Sequence, residues 1–212
     1  MRVFSLPLGP LQANAYLVDT GEGVALIDPG DEPERLLALF REVGLTPKAI
    51  LLTHAHFDHV GAVAPLVEAL GLPVFLHPLD LPLYRHAAEA ARAWGFAIPA
   101  PPLSVEPLEE GMRLFGFRVL HLPGHSPGHV AFFYPGEAEP KRPRVFSGDL
   151  LFRGGIGRYD LPGASREALS RSLRRLLTLP PETEVHPGHG PGTTLALEAR
   201  TNPFLRGLEW EM

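Results

Sequence analysis

A chain of 212 residues, 45% of them hydrophobic and 20% charged, has the balance of an ordinary globular protein. Its formal net charge of −5 provides no basic field for a nucleic-acid backbone, so we expect no nucleic-acid partner. No apolar run approaches the roughly 20 residues that span a bilayer, and the N-terminal MRVFSLPLGP lacks the apolar core of a signal peptide. We therefore expect a cytoplasmic protein with no membrane partner.

The residue types that are missing limit the chemistry. Cysteine is absent, which excludes disulfides, thiolate metal ligands and a cysteine nucleophile. Any metal ion must therefore be held by histidine and carboxylate side chains. Asparagine and glutamine are scarce, and the chain has 24 prolines. Few thermolabile residues and many prolines are typical of heat-stable proteins, so we expect thermostability.

In the first half of the chain, short apolar runs between turn signals are interspersed with segments of helical spacing. The predicted strands are VFSLPL, NAYLVD, GVALI, KAILLT (48–53) and PVFLH (73–77), and the strings GEG and DPG on either side of GVALI are turn signals. The predicted helices are DEPERLLALFREVG, HVGAVAPLVEALG (59–71) and residues 79–94. Asp31 is the expected N-cap of the first helix, and Gly44 marks its expected end.

A proline-rich surface connection, AIPAPPLSVEPLEEG, leads to a second group of strands and helices. The predicted strands are MRLFGFRVLHL (112–122), HVAFFYP (129–135), RVFSG (144–148) and a short strand in TEVHPGHGP. SREALSRSLRRLLTLP is a predicted helix with a Ser165 cap and Glu167 in its first turn, and TTLALEARTNPFLRGLEW predicts one or two closing helices. Strands followed by helices in both halves predict an α/β protein whose sheets pack together with helices outside them.

The stretch LLTHAHFDHVGA (51–62) concentrates ligand-type side chains where a predicted strand turns into a helix. His54 and His56 are two residues apart, so in extended chain they point the same way and can share one metal ion. Asp58 and His59 follow at the start of the helix, where the turn aims them toward a second ion close by. Four such residues predict half of a metal centre.

Three further turns of the same kind supply the remaining donors. HLPGHSPGH carries His121, His125 and His129, FSGDLLF carries Asp149, and VHPGHGP carries His186 and His189. In each turn, glycine lets the backbone bend tightly, so that the next side chain projects from a strand end. A carboxylate can bridge two ions while histidines complete each coordination shell.

This set of motifs closely resembles the metallo-β-lactamase superfamily, in the order THAHFDH (53–59), PGHSPGH (123–129), SGDLLF (147–152) and PGHG (187–190). The resemblance covers nearly the whole chain and implies a four-layer αββα sandwich with the metal site along one sheet edge. It implies that one ion is bound by His54, His56 and His125 and the other by Asp58, His59 and His189. Asp149 is the implied bridging ligand. The implied cofactors are two divalent ions, with zinc the first expectation and iron or manganese compatible with the same donors.

Within the superfamily, the strings GPLQANAYLV, GDLLFRGGIGRYDLPGAS and ARTNPFL resemble the short, single-domain glyoxalase II proteins. We therefore expect one domain over residues 1–212, without the C-terminal helical domain that binds glutathione in longer glyoxalase II enzymes. Asn202-Pro203 either has a family-specific role or simply ends the last helix. Arg153, Arg158 and Tyr159 either contact the anionic thiol portion of a substrate or are surface loop residues.

The expected activity is hydrolysis of a small-molecule thioester, S-lactoylglutathione to lactate and thiol, by attack of a metal-bound hydroxide. Asp58 is the expected catalytic residue, orienting that hydroxide in addition to binding metal. No serine or cysteine nucleophile is required.

Three alternatives stay open. One is a persulfide dioxygenase with a single iron on His54, His125 and Asp149, because the string GR-x-D at residues 157–160 resembles that group too. Another is a lactonase or esterase of the same fold, and the third is a non-catalytic metal-binding domain.

The histidines outside the ligand set have plainer expectations. His77 and His86 are interpreted as loop or helix-surface residues, and His186 as structural. His121 and His129 either pack or support a ligand from behind.

Overall fold

Residues 1–136 and 143–206 are described by the computed structural model of the chain, and they group into two units. Unit 1 comprises residues 1–108 and 114–116, and unit 2 comprises residues 109–113 and the described residues from 117 onward. Each unit contains a six-stranded sheet with helices, so the prediction of an α/β protein is confirmed. The expectation of a single domain over residues 1–212 stays a prediction.

The sheet of unit 1 combines an antiparallel and a parallel half. Its strands, in spatial order, are β1 (Arg2–Leu8), β2 (Ala13–Asp19), β3 (Val24–Ile27), β4 (Ala49–Leu51), β5 (Val74–Leu76) and β6 (Glu106–Pro107). The strands β1, β2 and β3 pair antiparallel, whereas β3 to β6 pair in parallel. β4 is buried along its whole length, as the continuous apolar run predicts. The carboxyl ends of the parallel strands therefore lie at one edge of the sheet.

The helices of unit 1 are short. They are α1 (Pro33–Val43), α2 (Phe57–Val60), α3 (Val63–Leu70), a 3-10 turn (Pro78–Asp80), α4 (Leu81–Arg85) and α5 (Ala87–Ala93). Leu36 and Phe40 of α1 join the same buried cluster as Leu66 of α3. Gly44 ends α1 in the left-handed conformation, as expected.

Three details of the prediction for unit 1 are wrong. The helix predicted over 59–71 is interrupted, because the Ala62 N–H donates to the carbonyl of Pro29 instead of to its own helix. The segment 79–94 breaks at His86 into two helices. Asp31 is not the N-cap of α1: that position is Glu32, which is left-handed, while the Asp31 carboxylate accepts the Glu32 N–H.

Unit 2 repeats the plan of sheet and helices. Its sheet has the order β14-β13-β10-β9-β8-β7, with a separate β11–β12 hairpin. The bounds are β7 (Arg113–Leu114), β8 (Phe117–His121), β9 (Val130–Tyr134), β10 (Arg144–Gly148), β11 (Leu151–Phe152), β12 (Gly155–Ile156), β13 (Glu184–Pro187) and β14 (Thr193–Thr194). The strand predicted over 112–122 is split by a turn at Phe115 and Gly116, both of which have positive φ.

Three strands of unit 2 run in the same direction. β9 pairs antiparallel with both β8 and β10, and β10 pairs in parallel with β13. The carboxyl ends of β8, β10 and β13 therefore lie at one sheet edge, and the three histidine- or aspartate-bearing turns follow those ends.

The helices of unit 2 are α6 (Arg166–Leu176), α7 (Leu195–Thr201) and α8 (Pro203–Arg206). Ser165 caps α6 by accepting the Ala168 N–H, and Glu167 lies in the first turn, as predicted. Leu169 and Leu173 face the core that the sheet forms. The predicted continuation of the last helix, residues 207–212, lies outside the described residues. Among the described residues, no helix combines the length and apolar character that crossing a membrane requires.

His186 in β13 has a structural surrounding. Its ring stacks on Phe146 of β10, with centroids 4.8 Å apart and an interplanar angle of 15°. Burial lowers the pKa of His186 from its ordinary value of 6.5 to about 4, although Glu184 nearby opposes the shift. The imidazole is therefore neutral near pH 7 and acts as an aromatic packing group.

We predict that His186 makes the metal-free protein acid-sensitive. Its folded pKa lies below its unfolded pKa, so the unfolded state binds the proton first and stability falls as the pH drops from about 6.5 toward 4. In His186→Phe, the loss of unfolding free energy between pH 7.5 and pH 5 should be smaller by about 2 kcal/mol than in the wild type. Denaturant titrations at the two pH values measure it, and equal losses in both proteins would contradict it.

Candidate metal centre

The candidate ligands of unit 1 follow two neighbouring parallel strands. Asp28 comes directly after β3, while Thr53 and His54 come just beyond the end of β4. Because β3 and β4 pair in parallel, these residues share one edge of the sheet. The chain then enters α2, which carries Asp58 and His59.

Asp28 holds the neighbouring strand end and the first helix of the turn. Its carboxylate accepts the Thr53 N–H at 2.8 Å, the Thr53 hydroxyl at 2.6 Å and His59 Nδ1 at 3.1 Å. A carboxylate only accepts, so the proton of the His59 ring is on Nδ1 and Nε2 has the lone pair that a metal needs. Asp28 is 2% exposed and has a positive φ, which is uncommon for a residue other than glycine.

The same carboxylate orients His54 through one intermediary. The Thr53 hydroxyl lies 3.0 Å from His54 Nδ1 and donates its single hydrogen to Asp28. It can therefore only accept from His54, so that ring too is protonated on Nδ1 and presents Nε2 as a ligand atom. One buried acid thus sets the tautomer of two candidate ligands.

The four candidate ligands of unit 1 are crowded together. The His54 ring centroid lies 4.8 Å from that of His56 and 4.2 Å from that of His59. His59 Nε2 is 3.6 Å from Asp58 Oδ2. His54 and His59 are fully buried, and their ligand-type atoms and one of Asp28 all lie within 4.8 Å of one another. The structure brings these four donors together at one strand-to-helix turn.

Two further residues hold this turn in place, and both were absent from our sequence-based prediction. Asp80 is fully buried, and its carboxylate accepts the N–H of Ala55, which separates two of the candidate ligands. Gly30 lies against the backbone of α2, where an added Cβ would be 1.8 Å from the Asp58 carbonyl oxygen. For Gly30, the signal in the sequence was the string DPG after β3, which we interpreted only as a turn.

Unit 2 brings its own three candidate ligands together. His125 follows β8, Asp149 follows β10 and His189 follows β13, at the sheet edge where the three strands end. Asp149 Oδ2 lies 3.5 Å from His125 Nε2 and 3.6 Å from His189 Nε2. One carboxylate oxygen therefore lies between the two imidazoles.

These separations suit ligands of a common ion. Two donors that each bind one tetrahedral zinc at its usual bond lengths lie roughly 3.3 Å apart. The separations of Asp149 from His125 and from His189 are close to that value, as is the 3.6 Å between Asp58 and His59. A carboxylate that shares one ion with His125 and another with His189 is a bridging ligand. The donor set therefore fits two metal ions.

The two remaining histidines of this turn both make hydrogen bonds, but only one of these bonds reaches a candidate ligand. His129 is fully buried, and its Nε2 accepts the backbone N–H of Asp149 at 3.2 Å. His121 Nε2 lies 3.0 Å from the carbonyl oxygen of Pro127, and the His121 N–H donates to Glu110. Of the two alternatives left open for these histidines, support of a ligand from behind holds for His129.

The string GIGRYD has a physical role that its composition did not reveal. His125 Nδ1 donates to the Arg158 carbonyl at 2.9 Å, which leaves Nε2 as the ligand atom of this ring. An added Cβ at Gly157 would be 1.8 Å from the Asp149 carbonyl oxygen and 3.3 Å from His125 Nδ1. The loop therefore approaches two ligand residues so closely that only glycine fits.

The three residues suggested as substrate contacts all have surface positions. Arg158 pairs with Asp160 at 2.9 and 3.0 Å, and this guanidinium lowers the pKa of the Asp160 carboxyl. Arg153 donates to the Gly192 carbonyl, and Tyr159 is 44% exposed. Their role toward a substrate stays a prediction.

Asn202 is buried, and it both ends a helix and holds a neighbouring hairpin through side-chain hydrogen bonds. It is the C-cap of α7, and its side-chain amide donates to the Gly155 carbonyl at 3.1 Å and to Glu198 at 2.9 Å. Glu198 in turn accepts the Gly154 N–H at 2.8 Å. The string RTNPFL therefore anchors the β11–β12 hairpin, which leads directly into Gly157.

Comparison with known proteins agrees with this geometry. The sequence pattern of the metallo-beta-lactamase superfamily matches residues 8–189. Taken with the two mixed sheets, the match shows that the chain belongs to the metallo-β-lactamase superfamily, has its fold and is a metallo-hydrolase.

Three similar proteins bear on the activity. A probable metallo-hydrolase of Bacillus subtilis, YqgX, is 42% identical over 95% of this chain and 96% of its own. The hydroxyacylglutathione hydrolase GloC of Haemophilus influenzae is 39% identical over 97% and 98%. The crystal structure of TTHA1623 in a di-iron-bound form superposes with a TM-score of 0.91, at 78% identity over 96% of this chain and 100% of that one.

We predict that Asp28→Asn weakens metal binding by about 10- to 100-fold, as changes to outer partners of ligating histidines typically do. An amide nitrogen in place of Oδ2 would donate toward His59 Nδ1 and favour the tautomer protonated on Nε2. Competition against a chromophoric chelator measures the affinity for Zn²⁺. Asp19→Asn, which removes only an exposed pair with Arg2, is the matched control.

Replacement of Gly157 should disturb the candidate ligands of unit 2, although Gly157 is not itself a ligand. In Gly157→Ala, the new methyl group displaces the Asp149 carbonyl, so we expect a loss of about 1–3 kcal/mol in unfolding free energy and a reduced metal content. Gly155→Ala is the control, because its Cβ would make only ordinary contact with Phe152 at 3.8 Å. Equal metal content in the two purified variants would rule out this role of Gly157.

Proposed function

We propose that this metallo-hydrolase cleaves thioesters of the S-lactoylglutathione type, releasing a carboxylic acid and a thiol. The observation that carries the proposal is the position of Asp149 Oδ2 beside both His125 Nε2 and His189 Nε2. It suits a bridging carboxylate, and the 39% identity to the relative named hydroxyacylglutathione hydrolase supports the substrate class.

The proposed cofactor is a pair of divalent ions. One ion is assigned to His54, His56 and His125, the other to Asp58, His59 and His189, with Asp149 as the bridge. Such a pair supplies an activated water and polarises the acyl carbonyl. Nitrogen and oxygen donors suit zinc, iron and manganese, and the similar TTHA1623 is a di-iron protein in its crystal structure.

The residues of this chain contribute position and charge. We assign to Asp58, whose side chain is 16% exposed, the role of accepting a hydrogen bond from the attacking water and holding it against the acyl carbon. The outer partners Asp28 and Arg158 keep the ring protons of His59 and His125 away from the ligand atoms.

The bond changes are simple. A carbon–oxygen bond forms between water and the acyl carbon, the carbon–sulfur bond breaks, and a proton of the water ends on the departing thiolate or in solvent. A thiol has a pKa near 8.5 in its unperturbed state, so the thiolate leaves without a strong general acid. This chemistry requires no serine or cysteine nucleophile.

Hydrolysis of S-D-lactoylglutathione by purified protein of determined metal content tests the proposal. We expect turnover with about two ions per chain, and loss of turnover on chelation. Asp149→Ala should lower kcat/KM by about 1,000-fold or more and remove metal, because a bridging ligand holds both ions. Glu182→Ala, which removes an exposed carboxylate of the same unit, should change neither quantity.

The other outcomes point to the other candidates. Full turnover by Asp149→Ala with full metal content would contradict the bridging role. Two bound ions with no thioester turnover would direct the search to lactones and esters. A single iron, with oxygen consumed in the presence of glutathione persulfide, would identify a dioxygenase.

A further inference from the structure

A cavity of about 260 Å³ in unit 1 opens beside Asp58. Its walls come from four segments of the unit: the turn at residues 8–11, residues 30 and 31, the start of α2, and residues 95–98 after α5. The cavity therefore reaches Asp58, the side chain that orients the attacking water in the proposed function.

Seven of the twelve residues that line the cavity have apolar side chains, and polar and apolar groups share its surface about equally. Phe57 and Phe96 stack with ring centroids 5.6 Å apart and an interplanar angle of 29°. Leu11 and Ile98 contribute aliphatic surface. These apolar side chains can bind a hydrocarbon group by removing it from water.

The charged side chains that line the cavity are Asp31 and Asp58, and among the described residues no lysine, arginine or histidine lines it. Asp58 is assigned to a metal ion, which would neutralise its charge, so Asp31 is the acidic group that remains. The Asp31 carboxylate is held against the backbone of the 8–11 turn, where an added Cβ at Gly9 would lie 2.5 Å from Oδ2. A carboxylate-bearing ligand would face this like charge at short range.

We propose that the cavity is the acyl pocket, and that it selects uncharged, straight-chain apolar acyl groups against acyl groups that end in a carboxylate. The inference rests on the proposed thioester hydrolysis and specifies its substrate class. Glutathione carries carboxylates and is larger than this volume, so the thiol portion belongs elsewhere. A volume of about 30 Å³ per water-sized group gives room for an acyl chain of up to about eight carbons.

The first test is an acyl series on one neutral thiol, N-acetylcysteamine. From acetyl to butanoyl to hexanoyl, kcat/KM should rise by about fourfold for each added methylene, the value expected for burial of one CH₂. The adipoyl thioester, which adds a terminal carboxylate to the six-carbon chain, should be slower than the hexanoyl thioester by about tenfold or more. Equal rates along the series would overturn the proposal and leave the hydrolase function standing.

Two variants locate the effect in this cavity. Ala97 is exposed and lines the cavity, so Ala97→Trp should lower hexanoyl turnover more than acetyl turnover and flatten the rise in kcat/KM along the acyl series. Ala100→Trp, at an exposed residue of the same segment outside the lining, is the matched control and should act like the wild type. Asp31→Asn keeps the oxygen that accepts the Glu32 N–H. It should narrow the difference in kcat/KM between the hexanoyl and the adipoyl thioester. An unchanged preference in both Ala97→Trp and Asp31→Asn would overturn the assignment.

A binding measurement separates the pocket from the chemistry. Hexanamide, an uncharged ligand with no thioester, should bind the metal-loaded protein in ligand-detected NMR, and Ala97→Trp should abolish the signal. If no thioester is hydrolysed but hexanamide binds in this Ala97-dependent way, the pocket stands and the proposed function fails. If thioesters are hydrolysed and hexanamide does not bind, the pocket assignment fails and the function stands.

Discussion

An imidazole binds a metal ion only through a nitrogen without a proton, so a histidine metal centre depends on where the protein holds each ring proton. In this chain, hydrogen-bond acceptors fix the ring proton of three candidate ligands, His54, His59 and His125. Asp28 accepts from His59 directly and constrains His54 through the Thr53 hydroxyl. The Arg158 carbonyl accepts from His125. Asp28 and Arg158 lie far along the chain from His59 and His125, and Asp28 also fixes the Thr53 hydroxyl beside His54. Folding itself therefore sets the tautomers.

Close backbone approach is the second requirement, and both units meet it with glycine. Gly30 lies against the Asp58 carbonyl and Gly157 against the Asp149 carbonyl, at separations that no Cβ permits. In unit 2, the loop with Gly157 leaves a hairpin that Asn202 holds through its side-chain amide. A residue far along the chain thus stabilises the loop that positions His125. Supports of this kind give the strings GIGRYD and RTNPFL a structural role beside the ligands.

Much of the architecture was predictable because local patterns and global packing agree. β10 matches its predicted bounds, Ser165 caps α6 as its position before an amphipathic segment indicates, and Gly44 ends α1. The misplaced boundaries have tertiary causes. α2 and α3 separate where the Pro29 carbonyl takes the Ala62 N–H, an interaction between segments that no periodicity reveals. Asp31 is a residue type typical of N-caps, yet its carboxylate accepts the N–H of the next residue, Glu32, and lines a cavity.

The sequence by itself determined the chemistry of the centre. Without cysteine, any metal must bind histidine and carboxylate, and the spacing of His54, His56, Asp58 and His59 places four donors at one turn whatever surrounds it. Only the tertiary structure decided which groups orient those donors and what lies beside them. Asp28, Gly157 and the residues of the acyl pocket come from segments far apart along the chain. Their roles depend on distances across the fold, and a linear pattern does not contain those distances.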